Sequence, residues 1–207
     1  MPSARVWICP AANARRRCRG SRLSSTTFLG LDISSWRFAN GATSLSSEAI
    51  NGVAVGAGLG LAMATDVRLI SRSAKLMAGY TRIGGSPDAG LTITLPQAMG
   101  YEQAMRFMME NRTVLGEEAV ALGMAGEIVD DAQFADRLAS YCEELCHWSP
   151  ITLRLLKRGM VKSLEASDME QQLRYELSNI RIAFSSEDAQ EARKAFFEKR
   201  QPVFKGR

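Results

Sequence analysis

The sequence has very little histidine and no long apolar run. Its 207 residues include one histidine, His147, so a Ser-His-Asp or Cys-His mechanism is excluded unless that residue itself serves. No apolar run approaches the roughly 18 residues that cross a bilayer, and we therefore expect no membrane partner. A P-loop lysine motif, a Gly-x-Ser-x-Gly turn after a strand and an internal repeat are also absent.

Cysteine is scarce as well, with four residues: Cys9, Cys18, Cys142 and Cys146. Because no secretory signal peptide is recognisable, we expect reduced thiols rather than disulfides. Cys142, Cys146 and His147 first suggest a metal site. The two cysteines lie one helical turn apart, but the histidine projects about 100° away and no fourth ligand is near in sequence. The sequence therefore predicts buried helix cysteines and no bound metal.

Lysine and acidic residues are nearly missing from the first 47 residues, which hold seven arginines, no lysine and one acid, Asp32. The whole chain has 26 Lys+Arg and 22 Asp+Glu, so residues 48–207 hold 19 basic and 21 acidic residues. This change of charge and pattern predicts that residues 1–47 lie outside the fold. Residues 48–207 are expected to form one domain, with a core part at about 48–130 and a helical part at about 131–207.

Three interpretations of residues 1–47 stay open. An Arg- and Ser-rich, acid-poor start is typical of a mitochondrial transit peptide; without one, we expect a cytoplasmic protein. Arginine without lysine, with scattered cysteine and tryptophan, also fits translation of a wrong or spliced reading frame. The arginines at 15–17 and 19 suggest a nucleic-acid-binding arm, but the cluster is short and lacks interleaved aromatic residues. We therefore expect no nucleic-acid partner.

From residue 49 onward the sequence predicts short strands and helices. The pattern up to Gly100 indicates a helix at 56–64, strands at 67–71 and 74–80, the second broken by Gly79, and a loop at 84–88 that leads to a helix. Gly100 is placed to stop that helix. The remainder is mostly helical, and Ser149-Pro150 is typical of a helix cap followed by a first-turn proline.

The glycine-rich turn Gly56-Ala57-Gly58-Leu59-Gly60 opens the first of these helices. It lacks the G-x-G-x-x-G spacing of a dinucleotide site. Its N–H groups and the positive end of the helix dipole suit a developing negative charge. Glycines that allow close helix packing explain the same pattern, so from spacing alone both interpretations stand.

Asp88 is the second candidate, because it follows Gly-Gly-Ser-Pro and precedes a predicted helix. An aspartate at such a position is by default an N-cap, which stabilises a helix by about 1 kcal/mol. Without further information the sequence favours capping over an acid/base role.

Residues 49–62, Ala-Ile-Asn-Gly-Val-Ala-Val-Gly-Ala-Gly-Leu-Gly-Leu-Ala, followed by Asp66, resemble the signature of the crotonase (enoyl-CoA hydratase/isomerase) superfamily. The resemblance continues through 74–75, 95–96, Gly100, 111–113, 117–119, 122–124 and 196–204. It implies an α/β fold of ββα units in a spiral, here partial, followed by a helical C-terminal trimerisation region. It also implies an acyl-CoA thioester substrate, no cofactor besides the coenzyme A of that substrate, and a homotrimer or dimer of trimers.

The chemistry shared by this superfamily is stabilisation of a thioester enolate by two backbone N–H groups. The resemblance makes the N–H of Ala57 one donor, with Gly56 and Gly58 beside it as substrate-binding residues. The other donor belongs to a loop before Ala49, and nothing in residues 1–48 resembles that loop. About the first third to half of the family fold is therefore expected to be missing or replaced.

The resemblance also assigns roles to the acids. Hydratases of the superfamily use two glutamates, and their positions are occupied here by Gly60 and Tyr80, so hydration is not expected. Isomerases of the enoyl-CoA and ring-1,2-epoxyphenylacetyl-CoA type are similar around Pro-Asp and use that aspartate as acid/base. Asp88 is therefore predicted to transfer the proton, with Gly79 and Tyr80 lining the acyl pocket.

The resemblance thus implies an acyl-CoA thioester isomerase that works through an enolate. The alternative is a crotonase-like remnant or interaction subunit without activity. Less favoured are an enoyl-CoA hydratase and an aromatic acyl-CoA dehalogenase in which the aspartate is the nucleophile. The dehalogenase enlists a histidine from the N-terminal part, whereas His147 lies far downstream.

Overall fold

A computed structural model describes residues 45–207 and, for the backbone alone, Arg5–Ile8 and Arg19–Ser21. The chain divides into two compact units, the first with Ser46–Ala139 and the strand Arg5–Ile8, the second with Ser140–Arg207. Most of residues 1–47, including the arginines at 15–17 and Cys9 and Cys18, lies outside the described residues, so the three interpretations of this segment are not tested. The cytoplasmic or mitochondrial location stays a prediction.

The larger sheet has five strands: β1 (Arg5–Ile8), β2 (Arg19–Ser21), β3 (Ser46–Ile50), β5 (Val67–Ser71) and β8 (Glu127–Val129). Their order is β2-β1-β3-β5-β8, with β3, β5 and β8 parallel and β1 antiparallel to β3. Leu69 and Ile70 of β5 are buried, as expected for a parallel sheet covered on both faces. Arg5–Ile8 and Arg19–Ser21 thus join the sheet from within residues 1–47. The boundary expected near residue 48 stays a prediction.

A smaller sheet and short helices complete the first unit. The strands are β4 (Val53–Val55), β6 (Lys75–Met77) and β7 (Val114–Leu115), in the order β4-β6-β7. The helices are α1 (Ala57–Met63), α2 (Tyr80–Ile83), α3 (Leu91–Met99), α4 (Tyr101–Glu110), α5 (Gly116–Ala121) and α6 (Phe134–Cys146), the last preceded by the 3-10 turn Asp131–Gln133. α6 extends into the second unit.

Most of the predicted elements of the first unit are confirmed, with one clear exception. The helix at 56–64 and the strand at 67–71 appear as α1 and β5, and Gly100 ends α3. The strand predicted at 74–80 is wrong beyond Met77, because Gly79 adopts φ 84° and turns the chain into α2. A residue in the left-handed conformation ends an extended segment, and the pattern of apolar residues gives no sign of that conformation.

In the described part of the first unit, an apolar cluster lies beneath the glycine-rich turn. It joins α1, both sheets, α3 and α4 through side chains that are fully buried: Ile50, Leu59, Ile70, Leu76, Leu91, Leu95 and Phe107. Each such side chain contributes about 1.5–3 kcal/mol by leaving water. The elements that carry the glycine turn and the loop at 84–90 are therefore fixed to one core.

Among its described residues, the second unit has the end of α6 and three helices, α7 (Pro150–Glu165), α8 (Met169–Phe184) and α9 (Glu187–Phe197). The predicted cap is confirmed, since Ser149 Oγ accepts the N–H of Thr152 and Pro150 begins the helix. Ser149 Oγ also donates to the buried Asp188 at 2.8 Å. The carboxylate of Asp188 accepts the N–H of Lys205 at 2.7 Å, which attaches the C-terminal tail to α9.

Several apolar side chains of the second unit are exposed. They recur at helical spacing on α7 and α8 and continue on α9: Leu156, Met160, Leu164, Leu173, Leu177, Ile180, Phe184, Phe196 and Phe197. Cys142 is buried as predicted, but Cys146, the last residue of α6, is exposed, so that part of the prediction is wrong. Among the described residues, every helix is too short or too polar to cross a membrane.

Candidate functional site

The N-terminus of α1 opens directly from β4. Gly56 turns the chain with φ 55°, and Gly60 N–H donates to the Gly56 carbonyl at 3.0 Å to close the first turn. Ala57 is the first helical residue, so no carbonyl within the helix accepts its N–H. The space where a side chain of Gly58 would lie is open. The turn therefore presents backbone donors at the positive end of the α1 dipole.

Tyr80 begins α2 on the other side of this turn. Its side chain is 7% exposed, and a methyl group placed on Gly56 would lie 3.9 Å from its Oη atom. Burial raises the pKa of Tyr80 above its usual range, and the hydrogen bond to Asp88 acts in the same direction. The phenol is therefore a neutral donor at any ordinary pH.

Asp88 lies on the exposed loop between α2 and α3, and its Oδ1 accepts the hydrogen bond of Tyr80 Oη. The expectation from the residues alone, that Asp88 caps the following helix, is wrong. α3 begins at Leu91 with Gly90 in the capping position, and no side chain caps it. The reason is that Ala89 (φ 50°) and Gly90 (φ 79°) both adopt left-handed conformations, which separate the carboxylate from the helix start.

Gly60 faces Ala89 at very short range. A Cβ atom on Gly60 would lie 2.4 Å from the Cβ of Ala89 and 3.0 Å from its carbonyl oxygen. No side chain fits there, and certainly not a glutamate. The position that the resemblance assigns to one hydratase carboxylate is closed by backbone packing.

Asn111 supports the site, although sequence reasoning gave it no role. Its Oδ1 accepts the N–H of Gly79 at 2.7 Å, just before Tyr80. Asn111 ends α4 in a left-handed conformation (φ 49°), which asparagine tolerates better than most residues. An asparagine directly after a helical pattern was a signal for this conformation, but nothing in the sequence identified the partner of its side chain.

The structure thus brings Gly56, Tyr80 and Asp88 together, and Ala57 follows Gly56 directly. Gly79 contacts the smaller sheet instead, where its Cβ would lie 2.8 Å from Val55 Cγ1. The roles of Asp88 and Ala57 in catalysis, and of Gly56, Gly58, Gly79 and Tyr80 in substrate binding, stay predictions. In the part of the chain that the structure describes, no three His, Cys, Asp or Glu side chains form a possible metal site.

Glu48, on β3, is a second carboxyl in an unusual environment. It is 1% exposed, and its Oε2 has no hydrogen-bond partner. Burial raises its pKa from 4.5 to about 8, because the charged form loses its hydration. The group is therefore largely protonated at neutral pH.

Comparison with known proteins places these features in a family. The profile of the family described as enoyl-CoA hydratase/isomerase matches residues 39–207. The 1,2-epoxyphenylacetyl-CoA isomerase of Escherichia coli is 35% identical over 159 residues, which are 77% of this chain and 60% of that protein. The (E)-benzylidenesuccinyl-CoA hydratase of Thauera aromatica is 33% identical over 160 residues, 76% of this chain and 61% of that protein.

The structural comparison agrees. The crystal structure of an enoyl-CoA hydratase from Bacillus anthracis superposes with a TM-score of 0.81 at 27% identity, over 84% of this chain and 67% of that one. The expected α/β crotonase-like fold with a helical C-terminal region is confirmed. The chain spans about 60% of the length of the curated relatives it matches. By its family profile and its fold, the chain belongs to the enoyl-CoA hydratase/isomerase family.

Proposed function

We propose that the chain is an acyl-CoA thioester isomerase in which Asp88 is the acid/base and the Ala57 N–H is an oxyanion donor. The Asp88 carboxylate removes a proton from a carbon next to the thioester or conjugated with it. The electron pair moves onto the thioester oxygen, where the Ala57 N–H stabilises the enolate. The same carboxyl then returns the proton to another carbon of the enolate, so no atom is gained or lost.

The main support for this proposal is that no side chain can be accommodated at Gly60. Hydration needs a carboxylate to hold a water and another to protonate carbon, and the packing of Gly60 on Ala89 leaves no room for one of them. Tyr80, whose pKa is raised by burial, occupies the other position and supplies no base. A one-base proton transfer needs a single carboxylate, and Asp88 is exposed beside the turn.

The names of the relatives support an acyl-CoA substrate, but they do not agree on a single reaction. Their names include an isomerase and a hydratase, and both names specify a CoA thioester. We infer that this chain binds an acyl-CoA thioester, with Gly56, Gly58, Gly79 and Tyr80 near the acyl group. Coenzyme A enters as part of the substrate, and no separate cofactor is needed for the proton transfer.

The proposal is tested with the full chain and its Asp88→Ala variant. Isomerisation is followed on enoyl-CoA and ring-epoxide thioesters, and exchange of α-protons is followed by NMR of phenylacetyl-CoA in D2O. General-base catalysis contributes about 10²- to 10⁴-fold, so Asp88→Ala is expected to lose at least about a hundredfold in both assays. Equal background rates in both proteins would refute the catalytic role of Asp88.

A matched control removes another exposed carboxylate of the same unit. Asp136 lies in the first turn of α6 and is exposed, so Asp136→Asn is expected to keep the full rates. Loss of activity in this variant as well would indicate a general charge effect rather than proton transfer by Asp88. Circular dichroism of all three proteins checks that each is folded.

We infer that the second unit assembles with further copies of this chain, as a homotrimer or dimer of trimers. The exposed apolar rows on α7 and α8, such as Leu156, Met160 and Leu164, support this because monomers rarely expose large contiguous apolar patches. Sedimentation velocity is expected to give a trimer or hexamer. Replacing Met160 and Leu164 by glutamine should produce monomers, and a monomeric unsubstituted chain would contradict the inference.

The same apolar faces favour a second candidate function, an interaction subunit without catalytic activity. This alternative predicts a stable oligomer that binds no CoA thioester in calorimetry. Micromolar binding of an acyl-CoA, or a rate that depends on Asp88, would decide for the isomerase.

A further inference from the structure

We propose that Tyr80 is a positioning residue for Asp88: its hydroxyl holds Oδ1 of the carboxylate and leaves Oδ2 to carry the proton. The inference rests on the proposed function, because it concerns the same carboxylate. It assigns Tyr80 a task other than lining the acyl pocket, and the two tasks have different kinetic consequences.

Tyr80 holds the loop that carries Asp88 at two points. Its carbonyl accepts the N–H of Gly85 at 3.0 Å, and its hydroxyl donates to Asp88 Oδ1. In this loop Gly85, Ser86 and Asp88 are exposed and Pro87 is half-buried. A carboxylate on such a loop would otherwise sample several rotamers, and a misplacement of about 1 Å costs up to a hundredfold in rate.

Tyr80 itself is held by the rigid part of the unit. Its ring belongs to the apolar cluster, and the preceding Gly79 N–H donates to Asn111 Oδ1 at 2.7 Å. Gly79 also packs against Val55 of β4 so closely that it can carry no side chain. The order imposed on Asp88 therefore originates in a sheet and two helices rather than in the loop, which is what a precise site requires.

The phenol cannot replace the carboxylate as the proton acceptor. Burial raises the pKa of Tyr80, and the bond to Asp88 raises it further, so the hydroxyl keeps its proton through the reaction. The substrate proton therefore goes to Oδ2 and returns from it, and the O–H bond of Tyr80 is neither broken nor formed. Asp88 therefore has one oxygen that accepts the hydrogen bond of Tyr80 and one oxygen that exchanges the proton with the substrate.

The position of the hydroxyl also relates the base to the oxyanion donor. A methyl group on Gly56 would lie 3.9 Å from Oη, and Ala57 follows Gly56 directly. Oη therefore lies beside the glycine turn as well as beside Asp88. Because Oη lies near both, Tyr80 would hold the Asp88 carboxylate on the side of the glycine turn.

The kinetic test compares Tyr80→Phe with the unsubstituted chain. The ring remains to fill the core, so we expect a folded protein whose kcat falls about tenfold while KM stays within about twofold. Tyr101→Phe is the matched control, because Tyr101 is exposed on α4, and its constants should not change. A raised KM with unchanged kcat in Tyr80→Phe would mean that Tyr80 only lines the pocket, and would overturn the proposal.

A spectroscopic test does not depend on turnover. In protein made with ring-labelled tyrosine, the infrared C–O stretching band that Tyr80→Phe removes belongs to Tyr80. This band is expected to shift in Asp88→Ala, because the phenol loses its acceptor, and to stay in place in Asp136→Asn. A band that is the same with and without the Asp88 carboxylate would overturn the proposal.

The two tests also separate this inference from the proposed function. An unsubstituted chain as inactive as Asp88→Ala would refute the isomerase, and the infrared band alone would then decide whether Tyr80 holds Asp88. An active chain that depends on Asp88 but tolerates Tyr80→Phe with unchanged kcat would refute only the role of Tyr80.

Discussion

The helix start at α1 and the loop before α3 meet at Gly60 and Ala89, where a Cβ on Gly60 would lie 2.4 Å from the Cβ of Ala89. Gly60→Ala must therefore move backbone, since Ala89 is itself in a left-handed conformation. We expect a loss of about 1–3 kcal/mol in the free energy of unfolding, as for other overpacked sites. Urea denaturation followed by circular dichroism measures it.

Gly58→Ala is the matched control for this substitution. Gly58 lies in the same helix, and no heavy atom is within 4 Å of the position of its added Cβ. Alanine is the better helix former, so the free energy of unfolding should rise by about 0.5 kcal/mol. Equal losses of stability in the two variants would show that any added methyl group destabilises the start of α1, whether or not it meets Ala89.

The donor at the start of α1 can be removed without removing the helix. Proline is accommodated at the first position of a helix, which Ala57 occupies, but it has no N–H. Ala57→Pro is expected to lower kcat about 10²- to 10³-fold, the usual cost of losing one oxyanion donor. Ala57→Ser keeps the N–H and should keep most of the rate. Similar rates in the two variants would argue against this donor.

Glu48 is expected to make stability depend on pH. Its pKa is about 8 in the folded chain and 4.5 as an ordinary carboxyl, because burial disfavours the charged form. The folded state thus binds the proton more tightly, so its contribution is complete below about pH 4.5 and is lost as pH rises through about 8. The loss is on the order of 3–5 kcal/mol.

Glu48→Gln isolates this effect, because the amide has a similar shape and does not titrate. The variant should lose less stability than the unsubstituted chain between pH 5 and 9, as measured by urea denaturation at each pH. Parallel curves for the two proteins would indicate that the carboxyl becomes hydrated or finds a partner when it ionises.

Asn111→Gly is expected to loosen the start of α2. Glycine adopts the left-handed conformation of Asn111, but it leaves the Gly79 N–H without its acceptor. A buried donor without a partner costs about 1–3 kcal/mol, and the half-buried Gly79 N–H is expected to lie at the low end of that range. Hydrogen exchange by NMR should find the Gly79 amide exchanging faster. Asn111→Asp keeps the acceptor and should keep the protection; equal exchange in both variants would contradict the role of Oδ1.

Much of the chain was predictable from local patterns. The strand at 67–71, the helix after the glycine turn and the Ser149-Pro150 cap were correct because each depends on residues close in sequence. Two of the errors have a common cause. Gly79 and Ala89 adopt left-handed backbone conformations that neither hydrophobic period nor capping preference reveals. One ended a predicted strand early, and the other separated Asp88 from the helix it was expected to cap.

The family could be recognised from the sequence alone, because family-like motifs are spread along the chain from residue 49 to residue 204. The sequence also determined which acids are absent, since Gly60 and Tyr80 are identities that can be read directly. The lack of room for a side chain at Gly60, and the hydrogen bond from the Tyr80 hydroxyl to Asp88, are visible only in the folded chain. Both are contacts across a turn, and their distances depend on backbone angles set by the packing of α1, α2 and the loop on one core.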